Sequence, residues 1–209
     1  MVPAKDALDR LRDGNTRFVD GDRCIDTYLS HTKLDKHLMG QAPYAVVLGC
    51  SDSRVPVEII FDVGLGDLFV IRVAGNIVAP SLIGSVELAA GNFGARLVVV
   101  LGHTECGAVQ ATYDALQEPV EHRSKNINSI IEYVRPSFET LLASGEDYDR
   151  ETLIKKAIRT NVRSTVNGLM RGSKMLEKLI LKDGLLVIGA EYSLETGIVE
   201  FFDDGKVGE

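Results

Sequence analysis

Three short apolar runs set the pattern of the first half of the chain: "YAVVLG" (44–49), "DLFVIRVAG" (67–75) and "RLVVVLGH" (96–103). Each is four to eight residues of nearly continuous Val, Ile, Leu or Phe, bounded by glycine or a turn signal such as "GQAP" (40–43). Runs of this length without polar alternation predict strands buried on both faces. Between them the apolar spacing changes to that of a helix. Residues 4–19 place Leu8, Leu11 and Phe18 among charges, with Gly14 weakening the pattern. Residues 81–93 carry Leu82, Val86, Leu88, Ala89 and Phe93, with Ser81 as the expected N-cap. "CGAVQATYDAL", from Cys106, opens a third helix, and two longer stretches follow at about 125–143 and 151–182. "GEDYDRE" (145–151) reads as a solvated loop and helix cap. "GLLVIGAEY" and "TGIVEFF", joined by "SLE", predict a hairpin at a sheet edge.

Strands alternating with helices, the strands apolar throughout, predict an α/β fold: a mostly parallel central sheet flanked by helices. The N-terminal helical arm occupies 1–40 and the α/β core 41–209, within one domain spanning 1–209. The chain's 209 residues, 45% of them apolar, suffice for one sizeable core.

Charge and cysteine usage narrow the function. A net charge of −7 argues against nucleic acid or an anionic membrane as a partner. No apolar run approaches the roughly 18 residues of a membrane span. The first residues alternate charges and contain no apolar core of a secretory signal, so a cytoplasmic location is expected. Three cysteines, Cys24, Cys50 and Cys106, read as reduced thiols.

Candidate chemistry gathers at two strand ends. "CSDSR" (50–54) follows the first strand and "GHTECGA" (102–108) the third. In an open α/β sheet the C-terminal strand edge is where ligands bind. His103 and Cys106 form an H-x-x-C unit whose side chains can reach one metal from a single turn, and Cys50 lies at the same expected edge. Two thiolates and an imidazole suit zinc. Spacing alone leaves open that the cysteines are small core residues and His103 an ordinary buried polar group. A structural zinc needs a fourth protein ligand, Cys24 or Asp52, whereas a catalytic one keeps that position for water or substrate. Arg54 can hold Asp52 away from a metal through a charge-assisted pair.

"CSDSR" followed by "H-x-x-CG" resembles the β-class carbonic anhydrases. "GQAP", "RVP", "GDLFVIRVAGN", "IGSVELA", "NV" (161–162) and "GLLVIGAEYSLETGIV" extend the resemblance over most of residues 5–203. It implies one Zn2+ per chain, held by Cys50, His103 and Cys106, and reversible hydration of carbon dioxide to bicarbonate and a proton by a zinc-bound hydroxide. It implies Asp52 and Arg54 as the catalytic dyad, with Asp52 as a fourth ligand in a closed state. In members with that state a tryptophan helps build a bicarbonate pocket, and this chain has no Trp. Gln41, the Gly107 backbone N–H, Phe69 and Ala74 match substrate-binding positions. Leu88 falls where many plant-like members carry a tyrosine. A homodimer or dimer-based tetramer is implied, with Gln41 and pocket residues coming partly from the neighbouring chain and the helix at 4–19 packing on it. Two alternatives stand beside this reading: hydrolysis of carbonyl sulfide or carbon disulfide on the same site, and a non-catalytic zinc protein with Asp52 as a permanent ligand.

Overall fold

The computed structural model describes residues 1–23, 40–117 and 124–202. Cys24, His31, His37 and His122 lie outside these residues. Five strands form one sheet in the order β2-β1-β3-β4-β5: β1 (Ala45–Gly49), β2 (Leu68–Arg72), β3 (Leu97–His103), β4 (Leu186–Tyr192) and β5 (Val199–Phe201). The first four run parallel, and β5 turns back antiparallel on β4 as the expected edge hairpin. Among the described residues, seven α-helices surround the sheet: α1 (Ala4–Asp20), α2 (Val57–Ile60), α3 (Pro80–Asn92), α4 (Gly107–Leu116), α5 (Lys125–Leu142), α6 (Arg150–Gly172) and α7 (Lys174–Lys182). No helix among the described residues is long and apolar enough to cross a membrane.

The continuous apolar runs feed both faces of the sheet because successive strand residues point in opposite directions. Ala45 and Val47 of β1 with Leu97, Val99 and Leu101 of β3 pack under α1 and α2. Val46 and Leu48 with Val98 and Val100 pack under α3, α6 and α7. Helix α1 buries Ala7, Leu8 and Leu11 against its own chain's sheet. Its Asn15 is buried and ties three elements: Nδ2 donates to the carbonyls of Ile60 (3.2 Å) and Gly197 (2.9 Å), and Oδ1 accepts from the Val199 N–H (2.8 Å).

The structure corrects the sequence expectations at two helix boundaries. Ala79, not Ser81, is the N-cap of α3, and Pro80 takes the first helical turn, where its missing N–H and fixed φ cost nothing. The expected helix over 151–182 is two helices: Ser173 leaves helical geometry (φ −140°, ψ 116°) and its hydroxyl oxygen accepts from the Leu176 N–H, capping α7. Asp149 caps α6 in the same way, through the Thr152 N–H, which bears out the cap reading of the acidic loop.

One close approach fixes the depth at which α6 sits on the sheet. Val162 fills a notch made by Gly102 of β3 and Gly189 of β4, where added Cβ atoms would lie 2.5 and 2.8 Å from its methyls. Any side chain at either glycine would lift the helix from the sheet.

The Asn15 contacts generate a stability prediction. Asn15→Ala removes three hydrogen bonds and leaves the buried Val199 N–H without its acceptor, so we expect a loss of about 2–4 kcal/mol in urea unfolding. A loss below about 0.5 kcal/mol, within the range of an ordinary surface change, would show that Asn15 does not hold α1 to the sheet.

Candidate metal centre

The sheet order places the site. Strands β1 and β3 are parallel neighbours in register, with Gly49 opposite Leu101. Cys50 therefore leaves β1 beside the end of β3, which carries His103. The connection after β1 passes through α2 on one face, while β3 leads toward α6 on the other. A crevice forms where neighbouring strands diverge in this way. A two-residue turn after His103, with Glu105 at φ +56°, brings Cys106 to the N-cap of α4.

The ligating atoms of Cys50, His103 and Cys106 all lie within 4.8 Å of one another, and all three residues are buried. Ligand-to-zinc distances of about 2.3 Å for sulfur and 2.0–2.1 Å for nitrogen fit a group of that size. The imidazole is oriented for the task. His103 Nδ1 lies 2.8 Å from the Thr104 carbonyl oxygen, which assigns the proton to Nδ1 and leaves the lone pair on Nε2. That Nε2 is buried and has no hydrogen-bond partner. A buried nitrogen lone pair facing two thiols is what a divalent metal satisfies.

The environment also favours one thiolate, at Cys50. The Cys50 thiol is pulled down to about 4: its sulfur accepts from the Cys106 thiol, and burial opposes this, while His103 and the Gly75 N–H add to it. The Gly75 nitrogen is 3.4 Å from the sulfur. Cys106 is pushed up by the neighbouring Cys50 thiolate and by burial, against the N–H groups of Val109 and Ala108 in the first turn of α4. Two negative sulfurs this close repel, and a cation between them removes the conflict. For His103, burial lowers the pKa, but Cys50, the Thr104 carbonyl and Asp52 raise it further, for a net upward shift.

Asp52 stands beside this cluster without joining it. Its Oδ2 is 3.9 Å from His103 Nε2, and Arg54 occupies both carboxylate oxygens. Arg54 Nε and backbone N–H donate to Oδ1 (3.0 and 2.9 Å), and Nη2 donates to Oδ2 (2.8 Å). Nη2 also reaches the Glu105 carbonyl at 3.2 Å, linking the two motifs. The Arg54 side chain holds the Asp52 carboxyl well below the usual carboxylate range.

The remaining expected site residues divide by position. Gly107 opens α4 directly after Cys106. Ala74 is half-buried beside Gly75, whose N–H meets Cys50. Phe69 lies opposite Val46 in β2, about 13 Å along the strand from the level of Cys50. Its ring packs against Phe93 with centroids 6.0 Å apart. Gln41 is exposed and precedes β1, at the opposite end of that strand from Cys50. Leu88 is exposed on α3.

Sequence reasoning missed two groups that shape the site. Arg72 donates from Nε to the Cys50 carbonyl (2.8 Å) and from Nη2 to the Asp52 carbonyl (2.5 Å), clasping the turn from outside. Asn161 of α6 donates to the Gly75 carbonyl. The signals were a cation closing an apolar strand and an amide inside a helix's buried face.

Known proteins are similar to this chain in sequence and fold. Residues 45–199 match the family described as carbonic anhydrase. A carbonic anhydrase of Mycolicibacterium smegmatis is 36% identical over 211 residues, covering 95% of this chain and 94% of the relative. Carbonic anhydrase 2 of Mycobacterium tuberculosis is 36% identical over 200 residues, covering 95% and 93%. Among solved structures, the β-carbonic anhydrase CafA of Aspergillus fumigatus superposes with a TM-score of 0.74 at 26% identity, covering 85% of this chain and 84% of that one. A Coccomyxa β-carbonic anhydrase gives 0.72 at 25% identity, covering 93% and 86%. The family match runs from the first strand of the sheet to the last, and on it the chain belongs to the β-class carbonic anhydrases.

Proposed function

We propose that Cys50, His103 and Cys106 hold the zinc ion on which this enzyme hydrates carbon dioxide to bicarbonate, with Asp52 and Arg54 as its catalytic dyad. The observation that carries the assignment is the buried, unpartnered His103 Nε2 grouped with two thiols. Zinc at such a site supplies a Lewis acid that turns water into a nucleophile near neutral pH.

The chain's own residues do the rest. Asp52 stays ionised because Arg54 donates to both of its oxygens, so it acts as a hydrogen-bond acceptor and not as a proton-accepting base. Its Oδ2, the oxygen nearer the imidazole, orients the attacking oxygen by accepting that atom's proton in a hydrogen bond. The Gly107 N–H, in the first turn of α4, has no intrahelical acceptor and sits at the positive end of the helix dipole. It donates to the substrate oxygen on which negative charge develops. With both Asp52 oxygens taken by Arg54, the open arrangement is favoured over permanent ligation by the carboxylate.

Gln41 and Phe69 sit toward the far end of β1 from their own Cys50, so they serve a site only if a second copy supplies them. We therefore assign the working unit to a dimer, alone or doubled into a tetramer, with Gln41 and Phe69 crossing between protomers and Ala74 staying with its own Cys50. Reduced Cys50 and Cys106 suit the cytoplasm.

Three outcomes test this reading. Cys50→Ser, His103→Ala and Cys106→Ser should each lose zinc on dialysis and lose stopped-flow carbon dioxide hydration; full zinc occupancy in any one removes that residue from the metal. Asp52→Asn should keep its zinc and lose about 10²–10³-fold in rate, the range typical of losing one positioned hydrogen bond to the reacting atoms; parental rates would make Asp52 a bystander. Gln41→Ala and Cys50→Ser chains, each impaired alone, should recover about one quarter of parental activity when co-assembled, since half the random dimers carry one intact site. No recovery would mean that Gln41 does not act across the interface.

A further inference from the structure

The "NV" pair at 161–162 enters none of the catalytic or metal-holding roles proposed above, yet the structure gives both residues specific work. Val162 sets the depth of α6 through the notch at Gly102 and Gly189. Asn161, one residue earlier, is buried at 1% exposure in the middle of the same helix. Its Nδ2 donates to the Gly75 carbonyl at 2.8 Å, while its Oδ1 is buried with no partner. An amide with an unmet acceptor is an expensive core residue, and an apolar side chain of the same shape would cost less. Packing therefore does not account for it.

The Gly75 peptides do. Gly75 sits in a 3₁₀ turn (Ala74–Asn76) at φ +72°, ψ +16°, a left-handed conformation that favours glycine. A Cβ there would lie 3.2 Å from both Ala108 and Val134, so the turn is wedged between α4 and α5. In this conformation the glycine presents its carbonyl to Asn161 and its N–H to Cys50 Sγ. One chain of contacts thus runs from α6, seated on Gly102 next to His103, through Asn161 and Gly75 to the Cys50 sulfur.

We propose that Asn161 is a positioning residue for the metal centre: by gripping Gly75 it aims the Gly75 N–H at Cys50 Sγ and fixes that sulfur relative to His103. The inference rests on Cys50 and His103 being zinc ligands. Asn161 touches neither metal nor substrate.

The test uses the full chain, loaded with zinc or cobalt. Asn161→Leu keeps the shape while removing the donor and the unmet acceptor together. We expect urea stability of the metal-free protein to stay equal or rise. Zinc affinity measured by chelator competition should fall by about 10–100-fold, as for other groups that orient metal ligands. The thiolate-to-cobalt charge-transfer absorption should shift. A folded variant with parental zinc affinity and an unshifted band would overturn the role of Asn161 alone. A parental protein that fails to bind zinc would overturn the site assignment and this inference with it. A direct measurement needs no variant: in the cadmium-loaded parental protein the Gly75 amide proton should couple to the metal through the Cys50 sulfur. Absence of that coupling while the other ligand signals are present would overturn the proposal.

Discussion

Two thiols and an imidazole buried within 4.8 Å of one another impose the constraint that orders the rest of this molecule. Without a cation only one of the two sulfurs can be ionised, and the His103 lone pair is stranded in a dry interior. With one, every polar atom of the cluster is satisfied and burial strengthens the interaction. Their supports are arranged accordingly. The parallel pairing of β1 and β3, with Gly49 opposite Leu101, brings Cys50 within one residue's rise of His103. The start of α4 brings Cys106 to them with its first-turn N–H groups. The Thr104 carbonyl fixes the imidazole.

The site has two distinct sets of supports. Arg54 and Arg72 act on the outer side, one on the Asp52 carboxylate and the other on the carbonyls of Cys50 and Asp52. Asn161 and Gly75 act on the buried side, at the sulfur. The outer pair is solvent-exposed and charged, which suits a carboxylate that must stay ionised and free to meet solvent. The inner pair is neutral and enclosed, which suits a ligand that should not move. On the function proposed above, the catalytic and metal-holding groups are separated within five residues of chain, 50 to 54.

Much of this was legible in the sequence, for identifiable reasons. The strands were plain because burial on both faces leaves no polar alternation to confuse their period. The three grouped residues were visible because thiols and an imidazole at strand ends are uncommon and chemically specific. Where sequence reasoning fell short, the missing information was local cap geometry at two helix starts and a long-range contact at Asn161. Ser173 ends a helix through its own hydroxyl, although the apolar period continues across it. Pro80 pre-empts Ser81 because a fixed φ starts a helix as well as a side-chain cap does. Asn161 contacts a residue 86 positions away, so no local pattern could reveal its purpose. The opposite ends of β1 occupied by Gln41 and Cys50 followed from strand length alone once the strand was known.

The central claim is that this buried cluster is a zinc site built from two thiolates and one imidazole, with the fourth position outside the thiol set. X-ray absorption at the zinc edge of the loaded protein tests it most directly. The account predicts two sulfur scatterers at about 2.3 Å and two nitrogen or oxygen scatterers at about 2.0–2.1 Å. One sulfur, three sulfurs, or a shell of nitrogen and oxygen alone would contradict it.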